Sequence, residues 1–271
     1  MENKIGNFIL DLFFPKFCLN CQKEGTFLCQ DCQAILDISN SHHPPSKFGG
    51  GLNDLYWAVE YKNPLIKNLI KIFKYEPFVK ELAKDLASLI INHFQLIKED
   101  KSSFLPFAAA RVLDEKPVFL KKNLDYVLVP VPLEKRKLKW RGFNQAEEVG
   151  KEIAKFLKIP LFNDVLIKNR ETLAQVELSE EERKENIKEA FSCQNLKKIY
   201  PVRELKKFGY SKNIDFSNGV KGKKILLVDD VYTTGSTMEE AARVLKKAGA
   251  KEVIGIVIAR AAPGQDQFKN V

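Results

Sequence analysis

Long apolar runs are what this chain of 271 residues lacks. Its greasiest stretches fall well short of the ~18–20 consecutive apolar residues that a transmembrane helix needs. Residues 8–14 come closest near the start, but Asp11 interrupts them, and neither a basic flank nor a small-residue cleavage site accompanies them, so no export signal is read there. Cysteine is scarce as well: five in all, four of them in one short window. Without an export signal, a secreted disulfide framework is a poor fit. With 45% hydrophobic and 29% charged residues, disordered, collagen-like and low-complexity classes are excluded too. What remains is a soluble, cytoplasmic protein with enough chain for a real core, in one large domain or one domain plus a small appendage.

The formal net charge of +9 is unevenly spread. Residues 197–224 hold nine basic and two acidic side chains, a net of +7, and residues 133–141 hold five and one, a net of +4. Everything else together stands at −2. Positive potential concentrated in this way suits a phosphate-bearing partner.

Cys18, Cys21, Cys29 and Cys32 read C-x2-C-x7-C-x2-C. Each C-x2-C pair can place two thiolates on one metal through a tight turn, and two pairs close a tetrahedral site, so structural Zn2+ is expected here. Four thiolates leave no open position for catalysis. Cys193 has no partner in sequence and reads as a buried, inert thiol. Residues 39–53, with two prolines and Gly49-Gly50-Gly51, read as a linker, and His42 and His43 within it as solvated loop histidines, since the metal site is complete without them.

Beyond the linker, strand and helix patterns alternate. A strand is expected over 55–61. Asn63 then caps a helix with Pro64 in its first turn and a stripe of Leu65, Leu69, Ile72 and Phe73. A second helix carries Leu82, Leu86, Leu89 and Phe94, whereas residues 101–122 match neither period. A strand over 125–131, a helix over 144–157, a strand over 161–167 and a capping box at Ser179 and Glu182 follow. The clearest unit is last: an apolar strand at 224–228, a helix over 236–248 stopped by Gly249, and a strand over 252–259. That βαβ order implies an α/β domain with a mostly parallel sheet and flanking helices.

Ligands of such sheets bind at the carboxyl ends of strands, beside helix N-termini. There the chain places Asp229 and Asp230, then Thr233, Thr234, Gly235, Ser236 and Thr237. Outward N–H groups at a helix start favour an anion, four hydroxyls add donors, and Gly235 lets the backbone approach closely, so the loop reads as a phosphate-monoester site. The carboxylates would repel phosphate; they suit sugar hydroxyls or Mg2+, directly or through water. A Ser- or Thr-capped helix after a strand would explain one hydroxyl, not four around a glycine after two aspartates.

ILLVDDVYTTGST, at residues 225–237, resembles the thirteen-residue phosphoribosyl-pyrophosphate (PRPP) motif of type I phosphoribosyltransferases. The resemblance implies that Asp229 and Asp230 hold the ribose hydroxyls and Thr233 to Thr237 the 5′-phosphate, with Pro130, Val131, Pro132 and Leu133 at the pyrophosphate-loop position. A narrower resemblance is to the ComF family (ComFC/GntX-like). It rests on the cysteine knuckle, on PVPLEKRKLKWRGFNQAEEVGKEIAKFL at 130–157, and on Arg170, Thr172, Gln175, Leu178, Arg183, Asn186, Ala190 and Phe191 at the family's spacing. It implies three parts: an N-terminal helix and four-cysteine zinc module (1–38), a linker (39–53), and a type I phosphoribosyltransferase-like domain (54–271). Insertions stand at about 101–122 and 195–219. It also implies a role in taking up single-stranded DNA during natural competence, with a helicase-type partner.

If the pocket turns over, it would displace pyrophosphate from the anomeric carbon, and Arg136, Arg141, Arg170 and Arg183 are the cationic candidates for the leaving group. Salvage relatives read their acceptor base with a hood; the chain ends about a dozen residues after its last expected strand, and no base-reading pattern is visible in residues 55–122. A PRPP-binding protein that handles DNA is therefore preferred to a salvage phosphoribosyltransferase or a non-catalytic PRPP sensor. Arg136, Lys137, Lys139, Trp140 and Arg141, with Phe143 beside them, have the cation-and-aromatic composition of a single-strand surface, as do Tyr200, Phe208, Tyr210 and Phe216 among the lysines of 197–224. Composition alone favours the alternative, lysine-rich solvated loops with their aromatics tucked into the core, and it is the ComF resemblance that brings the single-strand reading level with it.

Overall fold

The computed structural model describes residues 15–43, 51–97, 126–169, 189–194 and 219–261, with the backbone alone at 199–200 and 214–215. The readings on Ser179 and Glu182, on residues 101–122 and on most of 195–219 lie outside the described residues.

Helix α1 (Gln30–Ala34) closes the cysteine-bearing turn, with Cys29 as its N-cap. Strand β1 (His42–His43) pairs antiparallel with β2 (Asp54–Glu60). Helix α2 (Pro64–Lys74) starts as its sequence dictates: Asn63 Oδ1 accepts from the N–H groups of Leu65 and Ile66, and Pro64 stands where a missing N–H costs nothing. Its buried face is Ile66, Leu69, Ile70 and Phe73, so Leu65 and Ile72 lie at the margin of the expected stripe rather than in it. Helix α3 (Leu82–Ile97) buries Leu82, Leu86, Leu89 and Phe94 as expected.

Strand β3 (Tyr126–Pro130) is followed by a short helix that the periodicity did not indicate, α4 (Lys135–Arg141), and by α5 (Gln145–Leu157), whose N-cap is Asn144. The strand expected over 161–167 is broken. Residues 160–162 run beside β3, with Leu128 N donating to Pro160 O and Phe162 N to Leu128 O. The chain then bends away, and β4 (Leu166–Lys168) pairs antiparallel with β5 (Phe191–Cys193) instead. Strands β6 (Ile199–Tyr200) and β7 (Ile214–Asp215) form a separate antiparallel pair. Strand β8 (Lys224–Tyr232), helix α6 (Ser236–Lys247) and strand β9 (Glu252–Arg260) complete the βαβ unit.

The main sheet has the order β1-β2-β9-β8-β3, parallel except at the β1 edge. Side chains alternate between its faces with the period of a strand. Tyr56, Leu128, Leu226, Val228, Ile254 and Ile256 face α2, α3 and α5, whereas Leu55, Trp57, Val129, Ile225, Leu227 and Val253 face α6 and the β4–β5 pair. Both faces are covered, which is why the central strands are apolar throughout rather than alternating. Among the described residues no helix is long and apolar enough to cross a membrane.

The cysteine knuckle packs on α3. Cys18, Leu28, Cys29, Cys32 and Leu36 share one buried cluster with that helix. Thr26 Oγ1 donates to the Asp85 carboxylate, and Gln33 Nε2 to Ser88 Oγ at 2.9 Å. His42 is not a solvated loop residue: it is half-buried in β1, stacked on Tyr56 at 4.6 Å, with its Nδ1 2.8 Å from Asp54 Oδ2. Pairing with β2 supplies the partners that an isolated reading of the linker could not foresee. His43 is exposed.

Candidate functional site

Helix α5 follows β3 on one face of the sheet, and α6 follows β8 on the other. These two strands are neighbours. Where adjacent parallel strands send their helices to opposite faces, a crevice opens outside their carboxyl ends. The Asp229–Thr237 segment lies at that point.

Strand β8 runs on past Val228 to Tyr232, because β9 keeps pairing with it: Asp229 with Val257, Val231 with Ala259, Tyr232 with Arg260. The two aspartates are therefore strand residues rather than turn residues, and successive strand residues point to opposite faces. Asp230 goes to the α2 face, where Lys74 Nζ stands 2.8 Å from its Oδ1, with both groups largely buried. Burial alone would lower the Lys74 pKa, but the carboxylate outweighs it and the net direction is upward. Asp229 goes to the β4 face; burial, then the Asp230 charge, push its pKa up to about 7, against the pull of Lys74 and Lys168. Lys168 itself is held down to about 8 by burial and then by Lys137, with Asp229 opposing the shift. Lys74 thus pairs directly with Asp230, and Lys168 adds a weaker pull on Asp229.

The loop after β8 leads into α6 through Gly235, the N-cap residue, at φ 81°. A left-handed φ favours glycine, and a Cβ here would also collide with the Tyr232 hydroxyl. Glycine has no side chain to cap with, and the Ser236 N–H donates at 3.4 Å to Thr234 Oγ1 instead. Thr234 Oγ1 and Ser236 Oγ share a hydrogen bond at 2.9 Å, and Thr233 and Thr237 are half-buried beside them. The first turn is braced from behind: Glu239 Oε2 accepts from the N–H groups of Gly51 at 3.1 Å and Leu52 at 3.2 Å. A helix start that begins on glycine and is rimmed with hydroxyls can receive a dianion.

Opposite this loop, Pro130 and Pro132 have no N–H, and that of Val131 donates to Val228 O at 2.8 Å. The Val131 carbonyl accepts from Asn144 Nδ2. Backbone donors are thus few on this side, and an anion would meet side-chain cations instead. Helix α4 supplies these: Lys135, Arg136 and Lys139 are exposed, Lys137 is half-buried, and no residue of the helix is buried. Arg141 turns inward, its guanidinium 5.5 Å from the Tyr75 ring and donating to Gln145 Oε1 at 3.1 Å. Trp140 is 55% exposed, but Phe143 is core: it packs on Phe73 at 5.5 Å and is 8% exposed, so it is withdrawn from the stacking surface. Of the other readings, Arg170, Arg183, Phe208, Tyr210 and Phe216 lie outside the described residues, as do the side chains around Tyr200. Cys193 is half-buried rather than buried, and burial raises its pKa, which keeps it a thiol.

The Cys18, Cys21, Cys29 and Cys32 thiols lie within 4.8 Å of one another. Three of them are buried, and N–H donors already point at sulfur: Cys29 N to Cys18 Sγ, Cys32 N to Cys29 Sγ, and Asn20 Nδ2 to Cys32 Sγ at 3.2 Å. Such donors stabilise thiolate charge, and the set could bind a metal ion.

Sequence reasoning missed Lys74, Lys168 and Tyr75. Nothing in the sequence marks the two lysines, one at the end of a helix and one in a short strand, and only tertiary placement brings them to the acids.

A family model described as phosphoribosyl transferase domain matches residues 144–269. The chain is 32% identical over 240 residues to DNA utilization protein YhgH of Escherichia coli (strain K12), covering 87% of its own length and 85% of that protein. It is 28% identical over 238 residues to Competence protein ComFC of Streptococcus pneumoniae, covering 87% and 77%. It is 33% identical over 139 residues to Competence protein F of Haemophilus influenzae, and there it spans about half of each chain, 51% and 52%.

Proposed function

The chain belongs to the ComF family and carries a phosphoribosyltransferase-type domain, and we propose that its crevice binds PRPP or a related ribose 5-phosphate with Mg2+ while its basic surface handles single-stranded DNA during uptake. One observation carries the pocket: α6 starts from the left-handed Gly235 with the Thr234 and Ser236 hydroxyls at its rim, and the acid pair lies one strand-end away. The 5′-phosphate would take backbone N–H groups of the loop and the hydroxyls of Thr233, Thr234, Ser236 and Thr237. Asp229 and Asp230 would accept from ribose hydroxyls, Lys74 holding the Asp230 carboxylate in place. Mg2+ would arrive with the ligand and neutralise its pyrophosphate end, Asp229 being the acid not paired to Lys74. Lys137, Lys168 and Arg136 are the cations on the pyrophosphate side.

Calorimetric titration with PRPP, with and without Mg2+, tests this reading. Binding should require the metal and be lost in Asp229→Asn/Asp230→Asn; unaltered affinity in that variant rejects the site. Pyrophosphate release on adding base or amine acceptors would favour an active phosphoribosyltransferase over a binding protein or PRPP sensor.

The relatives' printed names, competence protein and DNA utilization protein, support the DNA part of the reading. The knuckle would hold one structural Zn2+ on its four thiolates, testable by metal analysis of the purified protein and of a Cys21→Ser/Cys32→Ser variant. A helicase-type partner and a cytoplasmic location complete the proposal.

A further inference from the structure

Six large hydrophobic side chains are exposed among the described residues, and two of them, Tyr75 and Trp140, lie on two segments that touch, the turn after α2 and the end of α4. Tyr75 follows Lys74 directly, so the Lys74–Asp230 pair ties the turn after α2 to the rim of the crevice. Phe78, three residues on, meets Trp140 edge to face, with ring centroids 5.0 Å apart at 88°. Arg141 lies over Tyr75. The turn from α2 and the end of α4 are thus joined by two ring contacts.

Helix α4 is peculiar in energetic terms. A helix of seven residues with none buried cannot persist on its own helical propensity. Its N-cap bonds from Glu134, the Arg141–Gln145 bond and the Trp140–Phe78 contact hold it against the body. The arrangement displays one indole that is 55% exposed beside Lys137, Lys139 and Arg141. Leaving so large an apolar ring half in water forgoes burial free energy unless a partner covers it. A partner that offers flat rings and negative charge in alternation is a nucleic acid single strand. With Trp140 already in contact with Phe78 and 55% exposed, a free base would gain one stacking contact only, whereas a strand adds phosphate contacts to the neighbouring lysines.

We propose that Tyr75, Phe78 and Trp140 form a base-stacking platform, continuous with the ribose–phosphate crevice, that seats bases of a DNA single strand while the α4 lysines follow its phosphates. This rests on the DNA-handling reading above and names its contact surface. It also supplies, from the α2–α3 turn, aromatic residues at the place where the sequence showed no base-reading hood.

Trp140 reports on its own occupancy, since the only other tryptophan, Trp57, is 4% exposed. A short oligothymidylate titrated into the full-length protein should quench tryptophan fluorescence, and Trp140→Phe should abolish the quench. Trp140→Ala and Tyr75→Ala should each weaken the oligonucleotide by about tenfold, the scale of one stacked base, and leave PRPP affinity unchanged. An abasic oligonucleotide of the same length should bind through charge without quenching. Binding that is equal in wild type and Trp140→Ala, with no quench, overturns the platform and leaves the DNA reading intact. Failure of any oligonucleotide to bind at low salt overturns the DNA reading itself. Quenching by free thymine as strong as by the strand overturns the commitment to a strand. Quenching by phosphatidylglycerol vesicles and not by the oligonucleotide reassigns the patch to a membrane surface.

Discussion

Lys74 Nζ lies 2.8 Å from Asp230 Oδ1, joining the last residue of α2 to the end of a strand 156 positions later in the chain. The pair places a fixed cation at the floor of the candidate ribose site before any ligand arrives. Removing one partner leaves a charge with poor solvation. Lys74→Met should lower stability by roughly 2–3 kcal/mol in urea denaturation, somewhat less than for a fully dry pair because the lysine keeps some water contact. Lys74→Met with Asp230→Asn should recover most of that loss. A single variant as stable as wild type would show that the pair is not formed in solution.

Gly235 combines a left-handed backbone with the absence of space for a side chain. Gly235→Ala should cost about 1–3 kcal/mol and should abolish ribose-phosphate binding, because relieving the contact with Tyr232 moves the loop. Gly235→Ala in a Tyr232→Phe background removes only the hydroxyl and should not restore binding. Titration calorimetry with PRPP, alongside a thermal melt, separates the two effects.

Phe143 and Trp140 lie three residues apart and have opposite fates. Phe143→Ala should destabilise by about 3–4 kcal/mol, as expected for emptying a core site. Trp140→Ala should cost only about 1 kcal/mol, the scale of its one edge-to-face contact with Phe78. If both melted alike, the assignment of one ring to the core and the other to solvent would be wrong.

His93 is buried against Tyr56 and Phe94, with its Nδ1 2.6 Å from Ser39 O. Burial lowers its pKa from the ordinary 6.5 to about 4. Between those values the unfolded chain holds a proton that the folded chain does not. Its contribution is therefore complete above about 6.5 and is lost as pH falls toward 4, on the order of 3 kcal/mol in all. Urea midpoints measured across that range should fall with acidity, and the slope should flatten in His93→Phe. An unchanged slope in the variant would assign the acid sensitivity to other groups.

Wherever the information is local, the chain alone determined the outcome. Asn63-Pro64 starts α2, Asn144 starts α5, and the apolar runs at 224–228 and 252–259 become central strands, because caps and periodicity depend on neighbours within a few residues. The cysteine spacing brings four thiols together for the same reason. Tertiary structure decided what depends on remote partners. It drew β8 out to Tyr232 through pairing with β9, put Asp229 and Asp230 on opposite faces, and set Lys74 and Lys168 beside them. It gave His42 a strand partner, sent Phe143 into the core and left Trp140 outside. A charge or a ring in sequence carries no record of which distant element will cover it; burial and pairing are settled only when the layers meet.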